Sequence, residues 1–226
     1  MATLADLESA IESLLRHPLG IGHYQLVRRI EEKAYEAYVF GLCLNAVRRL
    51  GVVPALCGIC GTADPFIFRG GPGQIHSTRR NYGYASFTLN RRSFEIHAGV
   101  EFAGTSGMTH ELDICIMRAD DAQRCRTPDT RADPPAASLV AGWECKFLGG
   151  PIDKGLGRAF VGLMADMGTN PVLSGMCSNS THSQLKHYFK KVSRPDPHFE
   201  LSPLRPQNEQ MFVSQVEFAL KKMTAS

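Results

Sequence analysis

The stretch Ala141-Gly142-Trp143-Glu144-Cys145-Lys146-Phe147-Leu148, closed at once by Gly149-Gly150-Pro151, decides how this chain folds. It is an apolar run of strand length, stopped by glycines and by a proline that cannot donate to a ladder. Side chains alternate along an extended chain, so Trp143, Cys145 and Phe147 take one face and Glu144 and Lys146 the other. The same alternation holds from His110 to Met117, where Glu111 and Asp113 oppose Leu112, Ile114 and Ile116. Each strand offers an apolar face to a core and a small charged group to the opposite side. If the two strands are neighbours, Asp113, Glu144 and Lys146 converge near one point.

The flanking sequence supplies the rest of an α/β domain. Tyr84 to Leu89 and Phe94 to Phe102 alternate and predict a hairpin that turns at Arg91-Arg92. Gly104-Thr105-Ser106-Gly107 connects it to the strand at 110–117. Residues 119–138 are polar and rich in Pro, Asp and Arg, which predicts a long exposed loop. After the 141–148 strand, a helix is expected over 156–167, a short strand over 172–177, and a helix over 181–192 behind the capping residues Asn179-Ser180. An edge strand at 199–204 and an amphipathic helix at 208–223 follow. Towards the N-terminus, Leu4, Leu7, Ile11, Leu14 and Leu15 mark an amphipathic helix over 3–16, ended by Pro18 and Gly20. A longer helix is expected from about Tyr24 to Leu50, with Gly51 at the position of a C-terminal glycine. Residues 52–83 read as loops with one short strand. The order describes an α/β sandwich with a mixed central sheet flanked by helices. It fits one domain: a helical extension over 1–22, a core over 24–192, and a closing strand and helix over 193–226.

Composition narrows the function. The 226 residues suffice for one sizeable core, and a net charge of +3 makes the whole molecule no general polyanion binder. Seven cysteines, several inside apolar runs, predict buried thiols in a reducing compartment rather than a disulfide framework. With no apolar secretory segment near the start and no run long enough to span a bilayer, the cytoplasm is the expected location, without a membrane partner.

Carboxylates placed as Asp113 and Glu144 are suit Mg²⁺, a hard cation that prefers oxygen ligands and keeps several waters. A lysine beside them can orient an attacking water or stabilise charge developing on a phosphodiester. The competing reading is a half-exposed sheet face with a cross-strand ion pair. Glu-x-Lys is a common pattern, and its other occurrence, Glu31-Glu32-Lys33 in the long helix, reads as solvated surface.

An Asp-bearing strand followed across one loop by a strand-borne Glu-x-Lys resembles the PD-(D/E)xK nuclease superfamily, the fold of many restriction endonucleases and Holliday-junction resolvases. The resemblance covers about residues 24 to 192 and rests on Glu36, Asp113, Glu144 and Lys146. It implies a restriction endonuclease-like α-β-β-β-α-β core, with Asp113 in the second core strand and Glu144-Cys145-Lys146 in the third. Glu36, within Ala34-Tyr35-Glu36-Ala37-Tyr38, is the match for a glutamate on the first helix. No proline precedes Asp113; Glu111 stands at the neighbouring same-face position. Carried over, Asp113 and Glu144 ligate Mg²⁺, or Mn²⁺ in its place, together with the backbone carbonyl of Cys145. Lys146 acts on the attacking water, and Glu36 completes the acidic pocket. The implied activity is metal-dependent hydrolysis of phosphodiester bonds in DNA within a restriction or defence system. A homodimer cutting both strands and a partner subunit supplying specificity or regulation are further expectations. A non-catalytic nucleic-acid-binding or assembly module, and an RNA-cleaving nuclease, stay open as alternatives.

A duplex needs phosphate contacts from basic side chains. Arg79-Arg80, Arg91-Arg92, and Lys186, Lys190, Lys191 and Arg194 are the groups available, with Lys186 and Lys190 on one helix face. Tyr82, Tyr84 and Tyr188 have faces for base stacking but fit hairpin and core positions. Cys57-Gly58-Ile59-Cys60 has zinc-ligand spacing without a second CxxC, a CxxH or a close histidine pair. His110 reads as a strand-end residue near the pocket. Neither a Gly-x-Ser-x-Gly elbow nor a phosphate-cradling P-loop occurs, so ATP-driven activity would need a partner.

Overall fold

The structure, a computed structural model, describes residues 2–16, 23–168, 171–190 and 195–224. The expected stop signals Pro18 and Gly20, and the basic residues Lys191 and Arg194, lie outside the described residues. The elements are α1 (Leu4–Arg16), β1 (Tyr24–Leu26), α2 (Glu31–Arg49), β2 (Ala55–Gly58), β3 (Gly61–Thr62), β4 (Phe66–Phe68), β5 (Gly83–Leu89), β6 (Arg92–Ala103) and β7 (Thr109–Arg118). They continue with α3 (Ala119–Arg126), a 3-10 turn at Ala136–Ser138, β8 (Leu139–Lys146), α4 (Lys154–Asp166), β9 (Leu173–Ser178), α5 (Ser183–Phe189), β10 (Asp196–Phe199) and α6 (Pro206–Thr224).

Eight strands form one mixed sheet in the order β10-β9-β8-β7-β6-β5-β2-β3, while β1 and β4 pair separately. Strands β5 to β8 are successive antiparallel neighbours; β9 joins β8, and β10 joins β9, in parallel. Parallel neighbours need a crossover, and α4 and α5 supply it. On one face Tyr35, Tyr38 and Phe40 of α2 pack with Leu7, Ile11 and Leu15 of α1, Phe212 and Val216 of α6, and Ile114, Ile116 and Trp143 of the sheet. On the other, α3, α4 and α5 contribute Cys125, Phe160, Met164, Leu185 and Phe189 against Cys115, Met117 and Met176. The chain therefore adopts the expected α/β architecture, a mixed sheet between helices. Every residue of α2 from Ala34 to Leu44 is buried, because α1, α6 and the sheet enclose it.

Several boundaries differ from expectation for tertiary reasons. The helix expected from Tyr24 begins at Glu31. Tyr24–Leu26 extend instead, pairing with Phe66–Phe68, and Tyr24 packs edge-on to Phe68. Ladder pairing overrides helical spacing, which registers only local periodicity. Residues 52–83 hold three short strands rather than one, since β2 gains a ladder with β5. The loop expected over 119–138 opens with α3, whose Arg126 donates two hydrogen bonds, at 2.7 and 2.6 Å, to the buried Glu95 of β6. The edge strand lies at 196–199 instead of 199–204. The bare backbone of Gly175 makes room there for the His198 ring, which would stand 2.5 Å from any Cβ.

A second departure bears on the site. Strict alternation puts Leu112 on the face of Ile114 and Ile116. In the structure Ile114 and Ile116 enter the α2-side core, whereas Leu112 enters the opposite one. Its partner strand switches too: Phe94, Ile96 and Ala98 lie on the α2 side, Val100 and Phe102 on the other. The switch falls at Gly99, with φ of +61°, between the rungs Ala98–Ile114 and Val100–Leu112. Only glycine takes this left-handed conformation readily, and a Cβ here would stand 3.2 Å from the Gly71 carbonyl oxygen. The sheet thus pivots beside Asp113.

His198 is buried, edge-on to Phe212 with ring centroids 4.9 Å apart, and its Nε2 has no hydrogen-bond partner among the described residues. Burial pushes its pKa down to about 4. The unfolded chain takes up this proton as the pH falls below about 6.5, while the folded chain stays neutral. The contribution to stability is therefore whole above about pH 6.5 and lost towards pH 4, with a limiting slope of about 1.4 kcal/mol per pH unit. Urea denaturation near pH 7.5 and near pH 5.5 should show His198→Phe losing less stability on acidification than the parent protein. Equal losses would refute this account of the ring.

Candidate active site

The β7–β8 ladder runs as far as the rung Ile114–Trp143, so the next would join Asp113 to Glu144. Instead, the Asp113 carboxylate accepts the Cys145 N–H through Oδ2 at 2.7 Å. A side chain replaces the main-chain acceptor where the strands part, which satisfies a buried donor and pins the carboxylate. Lys146 Nζ lies 2.5 Å from Glu144 Oε1 and 3.7 Å from Asp113 Oδ2. From α2, Glu36 and Lys33 reach the same cluster, with Lys33 Nζ 2.6 Å from Glu36 Oε1. Glu111, two residues before Asp113, is half-buried, and its Oε1 is enclosed without a hydrogen-bond partner among the described residues. The Cys145 carbonyl, a ligand on the family pattern, lies on β8 between the Glu144 and Lys146 side chains.

Electrostatics tie these groups into one unit. Burial, then the neighbouring Asp113, raises the Glu36 carboxyl to about 8 and that of Glu111 to about 7. Glu144 is raised as well, by burial and by Asp113, with Lys146 acting in the other direction. Burial opposes the charge on Lys146 and Lys33, but the surrounding carboxylates outweigh it and both ammonium groups are held above the usual lysine range. Four carboxylates crowd against two ammonium groups, so the cluster is short of positive charge.

That deficit and the hard oxygen donors fit a divalent cation such as Mg²⁺. The side chains do not form a closed cage: among the described residues, no three His, Cys, Asp or Glu groups are placed to hold a metal ion by themselves. A cation that keeps most of its waters needs one or two carboxylates, which Asp113 and Glu144 supply. In the structure the Lys146 ammonium stands between those two.

Of the residues singled out from the sequence, Glu36, Asp113, Glu144 and Lys146 come together. Lys33 was misread as solvated. It sits in the first turn of α2 with a side chain 14% exposed, ion-paired to Glu36. Its i,i+3 spacing to Glu36 was a visible signal; the enclosure of the Lys33 side chain beside Glu36 was not. Glu31 and Glu32 are exposed.

The basic candidates do not join this cluster. Arg79 and Arg80 are exposed before β5. Arg91 occupies the β5–β6 turn, and Arg92 donates to the Met223 carbonyl. That turn lies roughly 23 Å along β6 from the Asp113 level, at strand rise. Lys186 and Lys190 are exposed on and just after α5, and Lys186 Nζ is 3.3 Å from Glu200. Tyr84 is stacked on His97 beneath Arg126, and Tyr82 lies under Arg69, so their ring faces are engaged internally. His110 Nε2 is 2.6 Å from Asp166 Oδ2, in a network with Thr105 and Ser106 that ties the β6–β7 connection to the end of α4. Cys57 and Cys60 flank the β2–β3 turn as free thiols.

Among the described residues no helix is long and apolar enough to cross a membrane. The chain matches no protein-family model, no curated protein and no solved structure.

Proposed function

We propose that the chain is a metal-dependent endonuclease that hydrolyses phosphodiester bonds in DNA, of the PD-(D/E)xK kind. The observation that carries the reading is Asp113 at the parting of β7 and β8, beside the strand-borne Glu144 and Lys146 and under Glu36 of α2. The order α2-β6-β7-β8-α4-β9, with Asp113 on the second core strand and Glu144-x-Lys146 on the third, is the order that the resemblance implies. Asp113 and Glu144, with the backbone carbonyl of Cys145, would hold Mg²⁺, and Glu36 would complete the acidic pocket. When bound, the cation makes water a better nucleophile near neutral pH and offsets charge on the phosphodiester in the transition state. The protein's own work is positional. Asp113 is fixed by the Cys145 amide, Glu144 by Lys146, and the Lys146 ammonium can turn from these carboxylates towards the attacking water or the phosphate oxygens. Action within a defence system, as a homodimer or with a specificity subunit, rests on the resemblance alone.

The test is nicking of supercoiled plasmid with Mg²⁺ and with EDTA, run beside a structured RNA. Cleavage of DNA that EDTA abolishes supports the reading; Mg²⁺-independent cleavage, or cleavage of RNA alone, overturns it. A second expected result is thermal. Because a cation relieves the charge deficit, Mg²⁺ at about a hundred times its Kd should raise the Tm by about 5–10 °C. Scanning calorimetry with Asp113→Asn beside the parent should show that rise in the parent only.

A further inference from the structure

The last turn of α2 carries Arg48 and Arg49, and the fold provides for them differently. Arg49 Nε stands 2.6 Å from Glu217 Oε1 of α6. Arg48 lines a cavity of about 590 Å³ between α1, the end of α2 and the residues leading into β2. Its Nε and Nη2 are enclosed without a hydrogen-bond partner among the described residues. We propose that this cavity is a binding site for a small organic anion, whose carboxylate or phosphate oxygens meet the Arg48 guanidinium and whose apolar part lies against Leu14, Val52 and Val53. The site is separate from the carboxylate cluster, since Arg48 and Glu36 lie roughly 18 Å apart along α2 at helical rise.

A guanidinium keeps its charge in a protein, and a sheltered charge needs an anion or hydrogen-bond acceptors. Burial opposes the charge of Arg48, and among the described residues no neighbouring carboxylate offsets it. The stretch that follows α1 in the chain, His17-Pro18-Leu19-Gly20-Ile21-Gly22, contains no acidic residue. The end of α2 suits a cation through the helix dipole, yet it gives these two nitrogens no acceptor. Unpaired buried groups of this kind mark the place of an ion or a water. The walls of the cavity favour an organic anion over either. Ser13 and Asn45 set a hydroxyl and an amide beside the guanidinium, while Leu14, Val52 and Val53, the last 67% exposed, form an apolar side. The volume is that of a small-molecule site, in which a few polar groups fix the head of a ligand and apolar contacts hold its body. The long arginine side chain can turn its guanidinium edge to such a head without moving the helix.

The experiment is an NMR titration of the full chain, at constant ionic strength, with hexanoate, hexyl phosphate, acetate and the uncharged hexanamide, using the parent, Arg48→Met and Val53→Asp. Hexanoate or hexyl phosphate should bind saturably and shift the Arg48 Nε–H resonance, and the tighter of the two identifies the oxyanion head. Acetate should bind more weakly than hexanoate by about fourfold for each methylene that reaches the apolar wall. Arg48→Met should lose roughly tenfold or more in affinity, the weight of a charge-assisted hydrogen bond, and hexanamide should be weaker than hexanoate by a similar factor. Val53→Asp changes an exposed position, so the fold should survive it. Its carboxylate would pair with Arg48 and shut out the anion, so binding should weaken there too. That variant decides the matter if Arg48→Met does not fold. An absence of saturable binding, hexanoate binding no more tightly than acetate or hexanamide, or undiminished affinity in a folded variant overturns the proposal.

Discussion

Asp113→Asn should lower Mg²⁺-dependent cleavage by at least about a thousandfold while leaving the fold intact, since losing a charged metal ligand removes several kcal/mol of transition-state stabilisation. The amide oxygen can still accept the Cys145 N–H that Asp113 Oδ2 accepts at 2.7 Å. Replacement by Asn also relieves the like-charge crowding that lifts Glu36 and Glu111. Asp113→Ala separates the two roles. It removes the charge and also strands the Cys145 N–H in a buried site, so it should be less stable than the Asn variant by about 1–3 kcal/mol. Lys146→Met should abolish cleavage to a similar degree, because the Lys146 ammonium ion-pairs with both Glu144 and Asp113. Plasmid nicking and urea denaturation on the same preparations check both parts. Activity within about tenfold of the parent in Asp113→Asn would remove this residue from the chemistry.

The largest effect on stability is expected away from the site, at the Glu95–His97–Arg126 group. Arg126 meets both oxygens of Glu95 at 2.7 and 2.6 Å, and His97 Nε2 lies 2.7 Å from Glu95 Oε2. Burial works against the Glu95 charge, but Arg126 and His97 outweigh it and hold the carboxyl below its usual range. Arg126→Met would leave that carboxylate enclosed without its main partner and should destabilise the protein by about 3–5 kcal/mol. It would also release α3, which this bond latches to β6. The double variant Arg126→Met with Glu95→Gln should lose distinctly less than the single one, because the stranded charge is gone. Urea denaturation of both variants and of Glu95→Gln alone gives the coupling energy. A loss below about 1 kcal/mol in Arg126→Met would make the pair a dispensable surface contact.

Much of this molecule was legible in its periodicities. The three- and four-residue spacing of Leu4, Leu7, Ile11 and Leu15 placed α1, and the two-residue alternation around Asp113 and Glu144 placed β7 and β8 to within two residues at each end. What stayed illegible depended on partners distant in sequence. Tyr24–Leu26 extends because Phe66–Phe68 lies beside it, and α3 is helical where Arg126 finds Glu95 on β6. Lys33 looked like one charge in a solvated helix start, since nothing within a few residues reveals that α2 is enclosed on all sides.

The sequence by itself determined that Glu144 and Lys146 share one face of a strand and that Asp113 stands on another of the same kind. Side-chain alternation is a property of the extended backbone and needs no further information. Tertiary structure alone decided that β7 and β8 are neighbours and that they part at Asp113, where the glycine pivot of β6 turns the sheet. It also decided that α2 lowers Glu36 and Lys33 onto that point. Register, strand divergence and the docking of a helix on a sheet are set by packing across the whole chain, and so is the charge balance of the site they enclose.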